Sequence, residues 1–362
     1  MKIVMLFTGG RSGSDFLQSL LDEHKEVAQF PGILHFTNDL LKIFKFKDAQ
    51  KIARKFISLN QLFFDSRHNK KERHDKLGKK KNEFYVVNKK LFEKNFINIF
   101  NKTKKNNLDI LLCLHKAYMF SKGLQKKKFK IVFLHIHLFE NFENYLKVLN
   151  VYKNSKIIIT YRDPLVSMCS TVKNWSIYRK GRYMTPRHLF TNYLFHFNIF
   201  NDLKKYKHIT RVVKLENIHT KSKITLKRLS NFIGIKYSDT LLHSTYFGKK
   251  WWGDSISKKY LDGLNPNFNN KFDRNIFTND ELEFIENRIM NILIKYKYPI
   301  RSTPLSRVGK YYFPILKLEK IFYRCTLNNS KLKTKLSIIY FYIKRLMLFK
   351  EQFTKGNLPN EI

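Results

Sequence analysis

The chain has 362 residues, of which 43% are apolar and 27% are charged, so it can form one large folded domain and lacks the composition of a disordered protein. Its formal net charge of +42 favours anionic partners, which include nucleotides, sulfated or phosphorylated substrates, nucleic acid and anionic membranes. Lys, Asn, Ile and Phe are abundant, as AT-rich coding sequence produces, and no repeated nucleic-acid recognition module is present. We therefore expect no specific nucleic-acid partner.

A short apolar run followed by a glycine-rich segment opens the chain. Residues 2–7 have the pattern of a buried parallel strand, and residues 8–13 are Thr-Gly-Gly-Arg-Ser-Gly. Ser14 is predicted to cap the helix that follows, whose apolar face has helical spacing at Phe16, Leu17, Leu20 and Leu21. Strand, loop and helix form a βα unit whose helix begins at the loop.

This glycine-rich loop is a candidate phosphate site. Backbone N–H groups at the start of a helix bind anions, and Gly10 and Gly13 allow the backbone to approach a ligand closely. Arg11 adds a positive charge and Ser14 adds a hydroxyl donor. The loop is not a Walker A motif, because Gly13 is followed by Ser14 and Asp15 instead of Lys and a hydroxyl residue. An ordinary turn is the alternative interpretation of the loop alone.

Further apolar runs predict strands that alternate with helices. The predicted strands are residues 110–114, 131–137, 156–161 and 211–215. One helix is predicted to begin at Asp163-Pro164, and another, over residues 224–233, to end at Gly234. This alternation predicts an α/β fold of three layers with a central, mostly parallel sheet. In such folds ligands lie at the carboxyl ends of the strands, where the first, third and fourth predicted strands deliver their loops.

The C-terminal part has a weaker pattern. Residues 278–298 predict one more helix, with acidic residues in its first turns and lysines near its end. Residues 307–353 are basic, rich in aromatic residues and predicted to be helical. We therefore predict an α/β domain over residues 1–305 and a basic helical appendage over residues 306–362. The appendage is a candidate contact with anionic membrane, although aromatic residues in such a segment more often form a core.

A second candidate phosphate-binding element lies in mid-chain. Arg162 follows the predicted strand 156–161, and Ser170 lies about two turns into the helix that begins at Pro164. Arg162 and Ser170 are thus predicted to converge on one phosphate. A surface ion pair for Arg162 and a packing role for Ser170 are the alternative.

Together these two elements resemble the motifs of sulfotransferases that use 3′-phosphoadenosine-5′-phosphosulfate (PAPS). Residues 11–17 are similar to the family's 5′-phosphosulfate loop, and Arg162-Asp163-Pro164 with Ser170 is similar to its 3′-phosphate motif. Residues 213–218 with 232–235 resemble a third family segment, and residues 248–254 resemble a late basic loop that closes over the 3′-phosphate. The resemblance covers roughly residues 1–255 and implies a fold like that of P-loop NTPases.

The resemblance implies an enzyme that transfers a sulfuryl group from PAPS to a hydroxyl or amine, with no metal. It implies that PAPS is bound by the residues that match the motifs, which are Gly10, Arg11, Ser12, Gly13, Ser14, Asp15, Phe16, Arg162, Ser170, Lys249 and Lys250. Asp15 departs from the family, which usually has Thr or Ser there, and Leu215 stands where a Tyr that contacts adenine is common. Phe16 is a candidate to pack against adenine and is equally a candidate core residue.

Sulfuryl transfer needs a base for the acceptor and a positive charge for the leaving phosphate. Arg11 is the candidate for the charge. His137 is the candidate base, because residues 135–138 are similar to the Lys-Thr-His-Leu segment of cytosolic family members, in which His135 replaces a Lys that contacts sulfate. The alternatives are that both histidines are hydrogen-bonded strand-end residues, or that the base lies near His115-Lys116.

Two other functions stay open on the sequence alone. A P-loop kinase shares the strand, loop and helix, but it should carry a Lys in the loop and a magnesium-binding Asp after a strand, and neither is evident. A non-catalytic basic protein that binds nucleotides or membranes fits the net charge. The acceptor is not identified, since a saccharide, a lipid headgroup and a small metabolite all fit; residues 31–36 are candidates to line its pocket.

Cysteine use and apolar patterning predict the compartment. Cys113, Cys169 and Cys325 are far apart and odd in number, which argues against a disulfide framework or a Cys-based metal site and fits a reducing environment. Residues 1–7 are too short for the apolar region of a signal peptide, and no apolar stretch reaches the ~18 residues that span a bilayer. We predict a cytoplasmic protein, with a membrane surface as a candidate contact.

Overall fold

A six-stranded sheet runs through the centre of the computed structural model, which describes residues 1–35, 38–68, 73–103, 107–137, 155–178, 194–253, 260–302, 317, 319–320, 324, 332–350 and 358–362. Its strands are β1 (Lys2–Thr8), β2 (Val27–Gln29), β3 (Ile131–His137), β4 (Lys156–Tyr161) and β5 (Thr210–Lys214), and β6 (Thr245–Tyr246) and β7 (Lys249–Lys250) form a separate antiparallel hairpin. A last strand, β8 (Asn360–Glu361), completes the sheet. The order is β2-β3-β1-β4-β5-β8, and each described pairing in it is parallel.

Helices cover both faces of this sheet. The described helices are α1 (Ser14–Leu20), α2 (Asn38–Ile43), α3 (Ala49–Leu59), α4 (Gln61–Phe64), α5 (Lys89–Phe100), α6 (Asn107–Ser121), α7 (Pro164–Tyr178), a π-helix (Leu194–Asn198), α8 (Ile199–Asp202), α9 (Leu215–Thr220), α10 (Ser222–Ile233), α11 (Asn279–Lys295) and α12 (Leu332–Lys350). One core cluster packs helices α2 through α8, together with α11, against one face of the sheet. A second cluster packs α1, α9, α10 and the hairpin against the other face. The three-layer α/β prediction is confirmed.

Strand β1 shows why this sequence makes a central parallel strand. Its side chains alternate between the two clusters, with Ile3, Met5 and Phe7 in one and Val4 and Leu6 in the other. All five are almost fully buried. A strand covered by helices on both faces needs apolar residues at every position, which explains the continuous apolar run instead of an alternating one.

The predicted strand at residues 110–114 is wrong, because this segment lies inside helix α6. Four of its five residues are buried and Leu112 is half-buried, between α5 and the sheet, so the segment is apolar throughout and shows no amphipathic period. A continuous apolar run of this kind has the same pattern in a buried strand and in a buried helix. The strand that follows the first helix is instead β2, whose three residues are too few to give a pattern.

Local signals at the ends of helices were mostly sufficient. Asp163 caps α7 through bonds from the N–H groups of Leu165 (3.1 Å) and Val166 (3.2 Å), and Gly234 ends α10 in the left-handed conformation. The predicted cap at Ser14 is wrong. The N-cap of α1 is Gly13, with φ of 84° and no side-chain cap bond, because the loop enters the helix through this left-handed residue.

The predicted boundary at residues 305/306 stays a prediction, since residues 303–316, 318, 321–323, 325–331 and 351–357 lie outside the described residues. The last five residues, 358–362, return to the sheet, where β8 pairs with β5 and Tyr296 donates to the carbonyl of Pro359 (2.9 Å).

In the described part of the chain, no helix combines the length and the apolar character needed to cross a bilayer.

Three buried histidines and the half-buried His219 predict a loss of stability in acid. Burial lowers the pKa of His74, His115 and His196 to about 3 and that of His219 to about 4, so these rings stay neutral in the folded protein. In the unfolded chain they take up protons near pH 6.5, so stability is lost as pH falls from about 6.5 towards 4, by about 1 kcal/mol per pH unit for each histidine. Urea titrations at several pH values between 6.5 and 4 measure how the free energy of unfolding changes with pH.

Two single variants separate this effect from a general weakening of the core. His115→Leu should reduce the slope by about 1 kcal/mol per pH unit. Phe96→Leu, which alters the same core cluster without removing a titrating group, should lower stability equally at every pH. Identical slopes in wild type and His115→Leu would contradict the assignment.

Candidate active site

Three loops leave the sheet at the same edge. In β1, Thr8 lies opposite His137 of β3 and opposite Thr160 of β4, so these strands end side by side. The glycine-rich loop after β1 therefore has the end of β3 on one side and Arg162, which follows β4, on the other. The sequence predicted this meeting point, and the register confirms it.

Two left-handed residues shape the glycine-rich loop. Arg11 has a φ of 66° and Gly13 a φ of 84°. Close packing limits the loop as well, because a Cβ at Gly9 would lie 2.3 Å from the ring of Phe195 and a Cβ at Gly13 would lie 2.3 Å from Leu215. Leu215, which stands where the family has a Tyr, thus fills space against the loop.

The hydroxyl of Ser12 is used inside the fold. Ser12 is buried, and its hydroxyl donates to the carbonyl of Gly9 (2.9 Å) and contacts the hydroxyl of Thr8. Thr160 lies 3.4 Å from the same oxygen. These bonds tie the turn to the ends of β1 and β4. The side chain of Ser14 is buried too, at the start of α1.

Arg11 and Ser170 meet across the two predicted elements. The Nε–H of Arg11 donates to the hydroxyl of Ser170 over 3.2 Å, although the two residues are 159 positions apart. One turn earlier in α7, the hydroxyl of Ser167 donates to the carbonyl of Gly10 (3.0 Å). Helix α7 is therefore fixed directly to the glycine-rich loop.

Arg162 belongs to the same crevice. It is half-buried, and its Nε–H donates to the side-chain oxygen of Asn270 (2.9 Å). Burial lowers the pKa of Arg162, and the charge of Arg11 acts in the same direction, while Glu216 and Asp163 oppose them. The charge of Arg11 is thus close enough to act on the guanidinium of Arg162.

Two carboxylates, Asp163 and Glu216, bind the groups that surround Arg162. Asp163 is buried and forms an ion pair with Arg301, in addition to capping α7. Glu216 accepts from the backbone N–H of Asp163 (3.1 Å) and from the amide of Asn270. Glu216 therefore holds Asn270, which in turn accepts from Arg162.

Asp15 faces a histidine. His135 is almost fully buried; its Nδ1–H donates to the amide oxygen of Gln18 (2.8 Å) and lies 3.8 Å from a carboxylate oxygen of Asp15. Gln18 in turn donates to the carbonyls of Phe30 (2.8 Å) and Gly32 (3.0 Å). The departure from the family at Asp15 thus has a structural partner on β3.

The two candidate base positions differ sharply. His137 ends β3 beside Thr8, at the edge where β1, β3 and β4 end. His115 lies inside α6, fully buried, with its Nδ1–H bonded to the carbonyl of Leu111 (2.8 Å) and its ring 3.9 Å from that of Phe30. The neighbouring Lys116 is exposed.

A stack of three rings lies beside Arg162. Phe16 stacks on His219 with 4.6 Å between ring centroids, and His219 stacks on Phe268 at 4.4 Å. The guanidinium of Arg162 lies 5.6 Å from the centroid of Phe268. Phe16 is also part of the core, so both roles considered for it are compatible with its position.

Lys249 and Lys250 form ion pairs. Lys249 pairs with Glu83 (2.6 Å), and Lys250 pairs with Asp262. Their hairpin packs near the C-terminal end of α1, where the N–H of Gly248 donates to Asp22 (2.9 Å). The same hairpin also reaches the first turn of α1, where the hydroxyl of Tyr246 donates to the carbonyl of Asp15 (3.4 Å). The donor-binding role of Lys249 and Lys250 stays a prediction.

Sequence reasoning missed several residues that shape the crevice. Gln18, His219, Asn270 and Arg301 carry no motif, and their partners are distant in sequence. Gln18 is a buried polar residue, and its burial is visible only in the structure. Among the described residues, no three His, Cys, Asp or Glu side chains are grouped to hold a metal ion.

Comparison with protein families identifies the chain. The model of the sulfotransferase family matches residues 4–239, which is more than half of the sequence. The chain belongs to the sulfotransferase family. The matched region of this sulfotransferase includes the glycine-rich loop, β3, β4, Arg162 and Ser170, and it ends before Lys249 and Lys250.

Two solved sulfotransferase domains resemble this sulfotransferase at low identity. One is from the Synechococcus PCC 7002 olefin synthase, with 11% identity, a TM-score of 0.40 and coverage of 83% of this chain and 96% of that domain. The other is from the curacin biosynthetic pathway, with 14% identity, a TM-score of 0.39 and coverage of 83% and 99%. No curated protein matches the sequence.

The two glycines of the loop give a matched test of its geometry. Gly13→Ala places a Cβ at a φ of 84° and against Leu215, so it should destabilise the sulfotransferase by about 1–3 kcal/mol. In Gly10→Ala, no atom lies within 4 Å of the new Cβ, so the change should be within about 0.5 kcal/mol. Urea unfolding measures both, and equal losses would contradict the described loop.

Proposed function

We propose that this sulfotransferase uses PAPS as its donor and binds it between Arg11 and Arg162. Two observations support it: the Nε–H of Arg11 donates to Ser170 of α7, the helix that begins two residues after Arg162, and the charge of Arg11 lowers the pKa of Arg162. Convergent like charges are unfavourable in an empty crevice, and an anion between them relieves that repulsion. A donor with phosphate groups at both ends of its ribose suits two separated cations.

The orientation of PAPS follows from the motifs. Arg11 and the backbone of residues 10–13 are assigned to the 5′-phosphosulfate, and Arg162 with Ser170 to the 3′-phosphate. The hydroxyl of Ser12 is engaged with the carbonyl of Gly9, so Ser12 contributes the turn of the loop and its backbone N–H. The stacked rings of Phe16, His219 and Phe268 provide a flat apolar surface beside Arg162 for the adenine.

Lys249 and Lys250 are left out of this proposed site, because their ammonium groups already pair with carboxylates. Asn270, which accepts a hydrogen bond from Arg162, is proposed to replace that late loop, because it orients the guanidinium that is assigned to the 3′-phosphate. Asp15 is assigned to His135 and not to the donor phosphates, since its carboxylate would repel them.

The reaction joins the acceptor oxygen or nitrogen to the sulfur and breaks the bond between the sulfur and the 5′-phosphate oxygen. Arg11 is proposed to stabilise the negative charge that develops on that phosphate oxygen. His137 is proposed to accept the acceptor's proton, because it ends β3 next to the glycine-rich loop. His135, held by Gln18 and Asp15, is proposed to position the end of β3 and the loop at residues 30–34.

A cavity beside β3 is the proposed acceptor entrance. Its volume is about 350 Å³, and its lining includes Gly32, Ile33, His35, Asn60, Phe63 and His68. The N–H of Leu34 donates to the carbonyl of His135 (3.0 Å), so one wall of the cavity is fixed to the end of β3. The wall combines ring, amide and apolar groups, which suits an uncharged acceptor of the size of a single ring.

Removing Arg162 tests the donor assignment. Wild type should bind 3′-phosphoadenosine-5′-phosphate more tightly than AMP, which lacks the 3′-phosphate. Arg162→Ala should lose most of that preference, by about tenfold or more, because a charge-assisted contact to phosphate is lost. Isothermal titration of both nucleotides measures the ratio.

Arg54→Ala is the control, since it removes the same charge from an exposed residue of α3 that pairs with Glu93. This variant should keep the wild-type ratio. An unchanged ratio in Arg162→Ala would remove Arg162 from the site.

A further inference from the structure

Helix α12 carries apolar side chains on two opposite sides. The side formed by Ile338, Phe341, Tyr342 and Leu346 is half-buried, and the helix packs on the π-helix at Leu194–Asn198. The other side carries an apolar stripe of Leu336, Ile339, Tyr340, Ile343 and Met347. At 3.6 residues per turn these five lie within an arc of about 100°.

Every member of this apolar stripe is more than half exposed. Exposed apolar residues scattered singly are ordinary on a protein surface, but a row of five along one helix is not. Two of the other exposed isoleucines, Ile224 on α10 and Ile294 on α11, lie on different helices. The stripe is therefore a candidate docking surface.

The charge around the stripe selects the kind of partner. The sequence from residue 320 to residue 350 contains no Asp or Glu and includes Lys333, Lys335, Lys344, Arg345 and Lys350. Lys344 is exposed beside the stripe, with its ammonium 4.8 Å from the ring of Tyr340. An apolar stripe with a lysine beside it and a tyrosine in it, in a segment without acidic residues, is typical of a helix that lies in the interface of an anionic bilayer.

Other partners fit this surface less well. Self-association would bring two basic faces together on a chain with a net charge of +42, which is electrostatically unfavourable. Nucleic acid satisfies the charge but leaves five large apolar side chains in water. A bilayer with acidic headgroups satisfies both at once.

We propose that α12 docks through its apolar stripe on the surface of an anionic membrane, lying parallel to it without crossing it. The π-helix on which α12 packs also places Phe195 against Gly9, so the docked surface is one layer away from the glycine-rich loop. This proposal depends neither on PAPS as the sulfuryl donor nor on the identity of the acceptor.

Flotation of the full-length protein with lipid vesicles tests the proposal. Wild type should float with vesicles of phosphatidylcholine and phosphatidylserine, and much less with phosphatidylcholine alone. The double variant Ile339→Ser with Ile343→Ser removes apolar area without changing charge, and its recovery with the anionic vesicles should fall at least tenfold. Circular dichroism should show the same fold, because both side chains are exposed.

Ile224→Ser with Ile294→Ser is the matched control, because these isoleucines are equally exposed on other helices. This variant should float like wild type. The proposal is overturned if wild type does not float, if the control loses as much as the stripe variant, or if the stripe variant floats normally, which would mean attraction by charge alone. A dimer in light scattering that the stripe variant abolishes would assign the stripe to a second copy instead.

Discussion

The position of β1 between β3 and β4 is the constraint on which the site depends. Parallel pairing in register makes the three strands end together, at Thr8, His137 and Thr160. The hydroxyls of Thr8, Ser12 and Thr160 then tie the glycine-rich turn to that edge. A shift of one residue in either pairing would turn every side chain of the shifted strand to the opposite face and separate the loop from its neighbours.

The crevice combines positive charge with a supporting layer of paired carboxylates. Asp163 neutralises Arg301 and caps α7, and Glu216 holds Asn270 in the place where it accepts from Arg162. These carboxylates are therefore already engaged with groups of the protein. In the proposed donor site, the arginines would be in place for an anion before it binds.

Sequence reasoning succeeded where the signal was local. The apolar run of β1, the glycine-rich turn and the spacing from Arg162 to Ser170 are all contained in short segments, and they gave the edge of the sheet and the pair of elements that meet there. It failed where contacts decide the outcome. Residues 110–114 lie in a largely buried helix, α6, whose continuous apolar run has the same pattern as a buried strand. Asn270 contacts Arg162 and Glu216, which are more than 50 residues distant in sequence.

The claim that Arg11 and Arg162 hold the two phosphate ends of one nucleotide is tested most directly by a crystal structure with 3′-phosphoadenosine-5′-phosphate. The 3′-phosphate should contact Arg162 and Ser170, and the 5′-phosphate should contact Arg11 and the glycine-rich loop. A nucleotide bound away from either arginine would contradict the account.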